Sequence, residues 1–461
     1  MGSDDIPFDE AWAAPGEPRP HYRAMLEALD SVDLGELHAN LSGRLSSAGV
    51  TFGEDTFAVD PIPRLLTADE WEHLERGLAQ RARALNHFVH DAYGDQKIVA
   101  AGLIERQVIE EAEGFEPDLA GHLPRHPWPA AIIGFDVVRD STGEFLVLED
   151  NLRTPSGFSY AIAARSALVA VLPKQVPLPR PIEPVTWALL HSVMQAASPR
   201  AESPQIVVLT DGPENVAYYE HARAAQALDA ILATPDDLVL AGSELRVRQA
   251  DGPLTRVDVV YRRTNEDRMC DEQGQLTTVA AKLVEPWLAG SIGLVNAFGT
   301  GIADDKLVHG HVEDFIRFYL SENPVLRSVP TTAVVTEMDG ILGRLDDLVV
   351  KRRHSSGGVG VVIGPHARAD DLERLTDDLR ENPAEYIAQP MVMLSQHPTV
   401  IDGKLQPRHV DLRPFSFAGQ EVLLMPGGLS RVAFGEGALV VNSAQDGGGK
   451  DTWVMARDAG G

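Results

Sequence analysis

The segment 348–364 restricts most strongly what this chain can fold into. An apolar run carries Lys351, a loop rich in serine and glycine spans 354–360, and a second apolar run spans 359–363. This pattern predicts a β-hairpin with a glycine-rich turn. Glycine-rich backbone brings N–H groups close to an anion, and a lysine at its base can contact phosphate oxygens. Taken alone, the segment fits both a phosphate-binding loop and a plain structural hairpin.

Two better-known phosphate loops are excluded by their own spacing rules. A P-loop ends in Gly-Lys followed by Ser or Thr, whereas Asp451 follows Gly449 and Lys450. A dinucleotide fingerprint opens a helix, whereas Gly358 and Gly360 lead into a β-branched run. We therefore predict no nicotinamide cofactor.

Charge and cysteine content exclude several classes of protein. The chain has 461 residues and a net charge of −28, which disfavours nucleic-acid binding. The single cysteine, Cys270, excludes an intramolecular disulfide and a thiolate zinc cluster. The N-terminus has no apolar signal core, and the longest apolar run, 158–172, is too short for a bilayer. We expect a cytoplasmic protein with no nucleic-acid and no membrane partner.

The pattern divides the chain into four predicted parts. Residues 1–125 are predicted to form an acidic arm followed by a helical layer. The arm is expected to be loose over 1–20. Residues 126–200 carry two strands with acidic residues, and 201–310 alternate strand and helix. Residues 311–461 contain the glycine hairpin. The alternation over 201–310 predicts an α/β unit with a Rossmann-like parallel sheet.

Within that unit, one helix is expected to stop at Pro286. The loops after its strands, including Arg262, Arg263 and Asn265, are the expected place for a substrate, although surface arginines are an equally open interpretation. The predicted strands are 206–209, 238–241, 257–261 and 294–298.

Acidic and amide side chains converge on two neighbouring predicted strands. Asp136 lies on the first strand, and the second ends at Glu149, with Asn151 on the same face because strand side chains alternate. Oxygen ligands of this kind suit Mg²⁺ bridged to nucleotide phosphates. The pattern also fits acids in a turn at a strand end.

These pieces together resemble the ATP-grasp superfamily, and specifically its circularly permuted branch, type 2, which is distantly similar to glutathionylspermidine and glutathione synthetases. The usual order of motifs is kept, but the closing acid and E-x-N lie upstream, at 136 and 149–151. The other matching positions, in chain order, are Lys306, Lys351, Gln389, Asp411-Leu412-Arg413, Arg431 and Asn442. The resemblance implies an α/β, circularly permuted ATP-grasp fold with a Rossmann-like pre-ATP-grasp domain at 201–310, metal ligands in 126–200, and nucleotide binding in 311–461.

The resemblance also implies ATP and Mg²⁺ as cofactors. Lys306 and Lys351 would hold the α- and β-phosphates, and main-chain groups near Gln389 would bind adenine through the N–H of Met391 or Val392. Mg²⁺ would be held by Asp136, Glu149 and Asn151. The nucleotide would also meet the glycine loop and the asparagine downstream of it, namely Ser355, Ser356, Gly357, Gly358, Gly360 and Asn442.

For the reaction, the resemblance implies an ATP-dependent carboxylate–amine ligase that forms an acyl phosphate and releases ADP. Arg413 and Arg431 would neutralise the transferring phosphoryl group, and Arg153 and Ser156 would orient the acyl phosphate. The partners would be a small-molecule or peptide carboxylate and an amine. Two alternatives stay open: phosphoryl transfer without amide formation, and a nucleotide-binding protein without turnover that works with a helical partner protein.

Overall fold

The computed structural model describes residues 6–179, 181–200, 203–249, 252–271, 273–354, 360–438 and 447–457. Within these residues, ten strands join in one main sheet. Its central path runs in the order Arg327–Ser328, Phe145–Asn151, Ile132–Arg139, Lys404–Arg413, Leu429–Ala433, Gly447–Val454 and Val59–Leu66. Gln396–Ile401 pairs with Lys404–Arg413, and Phe415–Ala418 pairs with both Val422–Leu424 and Ile132–Arg139.

Both ends of the chain build this sheet. Val59–Leu66 lies parallel to Gly447–Val454, and Ile132–Arg139 lies antiparallel to strands from the C-terminal part, with Val137 opposite Leu412. All eight residues of Ile132–Arg139 are buried, because one core packs on each face of the strand. The sheet therefore brings segments separated by hundreds of residues into direct register.

Helices cover the two faces of the main sheet. Ala68–Ala92 packs in one core with Ile133, and Phe158–Val169 packs in the other with Ile132. Thr67 and Glu70 form the predicted capping box. The remaining helices are Pro20–Leu29, Leu34–Ser47, Lys97–Ala100, Arg106–Glu110, Glu183–Ala197, Tyr218–Ala227, Thr278–Leu288, Lys306–His309, Val312–Phe315 with a π-helical continuation Ile316–Leu320, Val334–Leu342 and Ala369–Glu381.

The predicted parallel sheet is present, but one predicted strand lies elsewhere and one strand of the sheet, Ile231–Ala233, was not predicted. It runs in the order Gly293–Val295, Val259–Arg263, Ile206–Thr210 and Ile231–Ala233. Leu238–Ala241, which we expected in this sheet, belongs instead to an antiparallel three-stranded sheet with Glu244–Val247 and Thr255–Arg256. Gly242, at φ +62°, turns the chain straight back, so a hairpin forms rather than a crossover.

The helix expected to end at Pro286 continues for two residues beyond it, as Thr278–Leu288. A proline removes one backbone N–H donor, and in the last turn of a helix that loss affects a single hydrogen bond. The helix therefore ends most of one turn later than predicted, at Leu288 instead of Glu285.

The glycine hairpin belongs to a separate small sheet. Leu348–Arg352 pairs antiparallel with Val362–Ile363 on one side and Tyr386–Pro390 on the other, and Thr332–Ala333 completes the sheet. Val334–Leu342 and Ala369–Glu381 cover it through a core that includes Val350 and Leu379. The predicted hairpin is confirmed, with a shorter second strand than the sequence indicated.

The described part of the N-terminal arm, 6–20, is docked, which corrects the expectation of a loose segment there. Phe8 and Glu10 exchange backbone hydrogen bonds with Gln396 at the edge of the main sheet. The Glu10 carboxylate accepts hydrogen bonds at 2.5 and 2.6 Å from Arg64, and both side chains are at most 1% exposed. No helix in the described ranges is both long and apolar enough to cross a bilayer.

We predict that Glu10→Ala destabilises the protein by about 3 kcal/mol, because it leaves the Arg64 charge buried without its partner. Urea unfolding of wild type and variant measures this difference. Glu17→Ala, in the same arm but exposed, is the matched control and should change stability by less than about 0.5 kcal/mol. Equal, small effects of both substitutions would contradict a docking role for Glu10.

Candidate active site

The two acidic strands meet as the sequence predicted. Asp136 on Ile132–Arg139 is the register partner of Glu149 on Phe145–Asn151, with an irregularity in the pairing directly after this position. Asn151 lies two residues beyond Glu149 and opposite Gly134, so it shares the face of Glu149. Two carboxylates and an amide therefore lie close together.

The lysine of the glycine hairpin reaches this group. Lys351 Nζ lies 3.8 Å from Glu149 Oε1, and their side chains are 9% and 34% exposed. Burial lowers the pKa of Lys351, the Glu149 carboxylate opposes this effect, and the nearby Lys306 lowers the pKa further. One ammonium group thus approaches a part-exposed carboxylate, with a second ammonium group near the first, which is an arrangement suited to a polyanion.

Asp136 is held between two arginines. Its carboxylate accepts hydrogen bonds from Arg413 at 2.6 and 2.8 Å, and Arg431 Nη2 lies 3.0 Å away. Burial by itself would raise the pKa of Asp136, but the two guanidinium groups hold it well below its usual range. Arg431 also pairs with the buried Asp411, its neighbour on the adjacent strand.

Lys306 lies at the start of the short helix Lys306–His309, which Asp305 caps. Lys306 Nζ donates to the carbonyl oxygen of Arg353 at 3.4 Å. Arg353 in turn pairs with Asp305 at 2.8 Å. These contacts connect the start of the helix to the base of the glycine hairpin. Lys306 and Lys351, the two predicted phosphate-binding lysines, therefore lie on the same side of the site.

Arg153, two residues after Asn151, bridges two acids. Its Nε lies 2.9 Å from Asp304 and its Nη1 lies 3.3 Å from Asp267. The backbone N–H of Leu152 donates to the other oxygen of Asp304 at 2.6 Å. Arg153 lines two narrow, adjoining clefts, one of which also contains Lys306. This places its guanidinium between Lys306 and the parallel sheet.

Ser156 lies beside the parallel sheet rather than free in the cleft. Its hydroxyl accepts a short hydrogen bond from Arg263, which also pairs with the buried Glu220 at 3.2 Å. Glu220 accepts hydrogen bonds from the N–H groups of Gly157 and Ser159 at the start of a helix. Arg263 and Glu220 therefore fix the position of the backbone from Ser156 to Ser159.

At the predicted adenine hinge, two groups already have partners. Gln389 donates from its side chain to Thr331 Oγ1 at 2.8 Å, and the Met391 N–H donates to the Asp347 carbonyl at 3.4 Å. Within the described ranges, the Val392 N–H has no backbone acceptor. Of the two predicted donors, the geometry favours Val392 for a ligand.

Some predicted site residues lie outside the described residues, namely Ser355, Ser356, Gly357, Gly358 and Asn442. Their assignment stays a prediction. Gly360, at the described end of the loop, has φ +73° and lies against the aliphatic part of Arg352.

One buried group near the site had escaped the sequence analysis. Asp150, between Glu149 and Asn151, points to the opposite face, where Arg81 binds it at 2.5 and 2.7 Å and His309 at 2.8 Å. His309 ends the helix that begins at Lys306. Asp150 therefore ties the strand that carries Glu149 to the helix that carries Lys306. The alternation of strand side chains predicts the direction of Asp150 but not its distant partners.

The residues fit a magnesium–nucleotide group in part. Glu149 is part-exposed, and the buried Nδ2 of Asn151 has no hydrogen-bond partner, so the Asn151 side chain is not fixed by the protein alone. Asp136 already binds two arginines, so a metal would have to share its carboxylate. Within the described part of the chain, no cluster of three or more His, Cys, Asp or Glu side chains suits a metal ion.

The family model described as circularly permuted ATP-grasp type 2 matches residues 63–433. The chain therefore belongs to this family. An uncharacterized protein of Synechocystis sp. is 40% identical over 97% of both chains. An uncharacterized protein of Mycobacterium tuberculosis is 39% identical over 97% of this chain and 84% of its own.

A Frankia alni protein provisionally named glutamate–cysteine ligase 2-3 is 40% identical over 98% of this chain, which spans 54% of that protein. Among solved structures, a glutathione synthetase-like effector from Globodera pallida superposes with a TM-score of 0.55 at 11% identity, covering 91% of this chain and 96% of the effector. The likeness confirms the predicted α/β, ATP-grasp-like fold.

The site predicts a pH dependence of stability that originates in Asp304. Burial raises the pKa of this carboxyl to about 6, although Arg153 opposes the shift. Because the folded pKa exceeds the unfolded one, this contribution to stability is present below about pH 4 and is lost as the pH rises through 6. Between pH 5 and 7, we expect the free energy of unfolding to fall by about 1 kcal/mol relative to an Asp304→Asn variant.

Urea unfolding at several pH values measures this difference. Asp377→Asn, at a side chain that is 83% exposed, is the control and should follow the wild type at every pH. A difference between wild type and Asp304→Asn that stays constant from pH 5 to 7 would contradict the assignment.

Proposed function

We propose that the protein is an ATP- and Mg²⁺-dependent carboxylate–amine ligase that forms an acyl phosphate and releases ADP. The observation that carries the proposal is the approach of Lys351 to Glu149, because it brings the lysine at the base of the glycine hairpin to the acidic strands. Membership of the ATP-grasp family supports nucleotide use. The name of the Frankia alni relative supports an amino-acid carboxylate as substrate.

In this proposal, the protein binds and orients the substrates and neutralises phosphate charge. No covalent bond forms between the protein and a substrate. Lys306 and Lys351 hold phosphate oxygens, and Arg413 and Arg431 balance the charge on the transferring phosphoryl group. Asp136 fixes both arginines before substrate binds, so little reorganisation is needed during transfer. Mg²⁺, when bound at Glu149, Asn151 and Asp136, would neutralise further phosphate charge.

The chemistry proceeds in two displacements. A substrate carboxylate oxygen attacks the γ-phosphorus, the bond to the β-phosphate oxygen breaks, and ADP leaves. An amine nitrogen then attacks the acyl carbon, the bond to phosphate breaks, phosphate leaves, and the amine proton passes to solvent. In this proposal Arg153 orients the acyl group, and its position in the lining of both clefts supports this role.

We predict that Glu149→Gln and Lys351→Met each lower the rate of ADP release at least 100-fold, because each removes a charge used in phosphoryl transfer. The assay supplies ATP, Mg²⁺, the standard amino acids and a dipeptide mixture, and follows ADP and new amide products. Glu144→Gln, on the same strand hairpin but 62% exposed, and Lys97→Met, 68% exposed, are the matched controls and should retain the wild-type rate.

The outcomes separate the candidate activities. A new amide formed with one ADP per product supports the ligase. A stable phosphorylated product without amide overturns the ligase and supports phosphoryl transfer. No ADP release above background by the wild type overturns turnover on these substrates and supports a nucleotide-binding role.

A further inference from the structure

Glu10, in the N-terminal arm, binds the main sheet at a place where several segments meet. Its carboxylate accepts hydrogen bonds from Arg64 at 2.5 and 2.6 Å and from Ser395 Oγ at 2.5 Å. The Ser395 N–H donates to the carbonyl oxygen of Arg139, the last residue of the strand that carries Asp136. Glu10 lies outside the residues that the family model matches, so membership of the family does not account for this contact.

Arg64 extends the contact to the strand that carries Asp411. Its Nη1 donates to the carbonyl oxygen of Asp411 at 3.0 Å and to Ser430 Oγ at 3.4 Å. The side chain of Arg64 is fully buried. Burial lowers the pKa of Arg64, but the Glu10 carboxylate more than offsets this effect, with a smaller contribution from Asp411. The charge of Arg64 is therefore balanced mainly by Glu10 and acts also on Asp411.

Asp411 and Arg431 are register partners on neighbouring strands, and their side chains pair on one face of the sheet. The Arg431 Nε donates to both oxygens of the Asp411 carboxylate at 3.0 Å. Ser430 directly precedes Arg431, so its side chain points to the other face, because strand side chains alternate. Arg64 therefore lies behind the Asp411–Arg431 pair and contacts one residue on each of its two strands.

The Asp411–Arg431 pair leads directly to the candidate active site. Arg431 Nη2 lies 3.0 Å from the carboxylate of Asp136, which Arg413 also binds. Arg431, Asp136 and Asp411 are at most 9% exposed. Their mutual charge interactions are therefore screened little by salt and water. A continuous series of buried contacts thus joins the N-terminal arm to Arg431.

We propose that the N-terminal arm is part of the active-site architecture, and that Glu10 and Arg64 are positioning residues for Arg431. Glu10 holds Arg64 in place, and Arg64 fixes the strand pair on which Asp411 orients the Arg431 guanidinium. Without Glu10, the buried charge of Arg64 is drawn to Asp411 and competes with Arg431 for that carboxylate. The effect on catalysis rests on the proposed function of Arg431, whereas its orientation can be measured without turnover.

NMR spectroscopy of the whole chain, carrying isotope-labelled arginine, tests the inference directly. The side-chain Nε–Hε signal of Arg431 is assigned with an Arg431→Lys variant. We expect Glu10→Gln to shift this signal by more than its linewidth, because the hydrogen bonds from Arg431 to Asp411 change. Glu10→Asp keeps the negative charge and should give a smaller shift.

Leu245→Ala is the matched control for a loss of stability alone. Leu245 is 1% exposed and lies in the separate three-stranded sheet, so its truncation destabilises the protein away from the arm. It should leave the Arg431 signal where the wild type has it. Glu17→Gln, at an exposed position of the same arm, should also leave the signal unchanged.

The kinetic readout uses the ADP-release assay, at a temperature at which every variant is folded. Glu10→Gln should lower kcat at least about tenfold and change the KM for ATP less than about twofold, because Arg431 acts on the transferring phosphoryl group. Leu245→Ala and Glu17→Gln should keep the wild-type kcat.

Three results would overturn the inference: an Arg431 signal unchanged by Glu10→Gln, an equal shift in Leu245→Ala, and a shifted signal with unchanged kcat. If Glu10→Gln does not fold, Arg64→Lys decides. It keeps the charge but replaces the guanidinium fork, so it should shift the Arg431 signal, and an unchanged signal would overturn the inference.

The failure of the inference and that of the proposed function are distinguishable. An Arg431 signal that depends on Glu10, in a protein that releases no ADP, would overturn the ligase function and leave the structural coupling in place. ADP release by the wild type, with an Arg431 signal and a kcat that do not respond to Glu10→Gln, would overturn the inference alone.

Discussion

The position of Asp136 between Arg413 and Arg431 is the interaction on which the site depends. Three charged side chains from three strands are brought together where the strand Ile132–Arg139 meets the C-terminal strands. Removing Arg431 would leave the buried Asp411 carboxylate without its arginine, which is strongly unfavourable. The register of the main sheet and the arrangement of the site are therefore fixed by the same contacts. This also explains how a chain with its motifs in permuted order keeps one site.

A second set of charges joins the helix of Lys306 and the glycine hairpin to this sheet. Asp150 ties the acidic strand to the helix of Lys306, and Arg353 ties that helix to the base of the glycine hairpin. Lys351 then faces Glu149 from the hairpin side. Two buried lysines, Lys306 and Lys351, therefore lie close to the acidic strands. Under the proposed function, their positive charge is in place before a nucleotide binds, which would favour electrostatic catalysis.

Local patterns were enough to predict several elements. Thr67 and Glu70 mark a helix start, and the pairing of Asp136 with Glu149 follows from two adjacent strands joined by a short turn. These signals act over a few residues, so they are visible in the sequence. The strand Leu238–Ala241 was placed in the wrong sheet, because a short apolar run does not indicate which neighbour it will pair with.

Long-range charge pairs could not be predicted in this way. Glu10 binds Arg64, and Asp150 binds Arg81 and His309, across separations that leave no periodic signal. The same limit applies to Arg262, which the sequence marked as a possible substrate contact, while its burial and its hydrogen bonds to the Asn296 and Asp267 carbonyls became visible only in the folded chain. Burial, which decides the effect of a charge, is a property of the whole fold.

The most direct measurement of the central claim is a crystal structure of the protein with Mg²⁺ and a non-hydrolysable ATP analogue. The account predicts the triphosphate in the cleft between the acidic strands and the hairpin, with Lys351 Nζ within hydrogen-bond distance of a phosphate oxygen and the metal ion bound by Glu149. A nucleotide bound elsewhere on the molecule, with Lys351 and Glu149 contacting only each other, would contradict it.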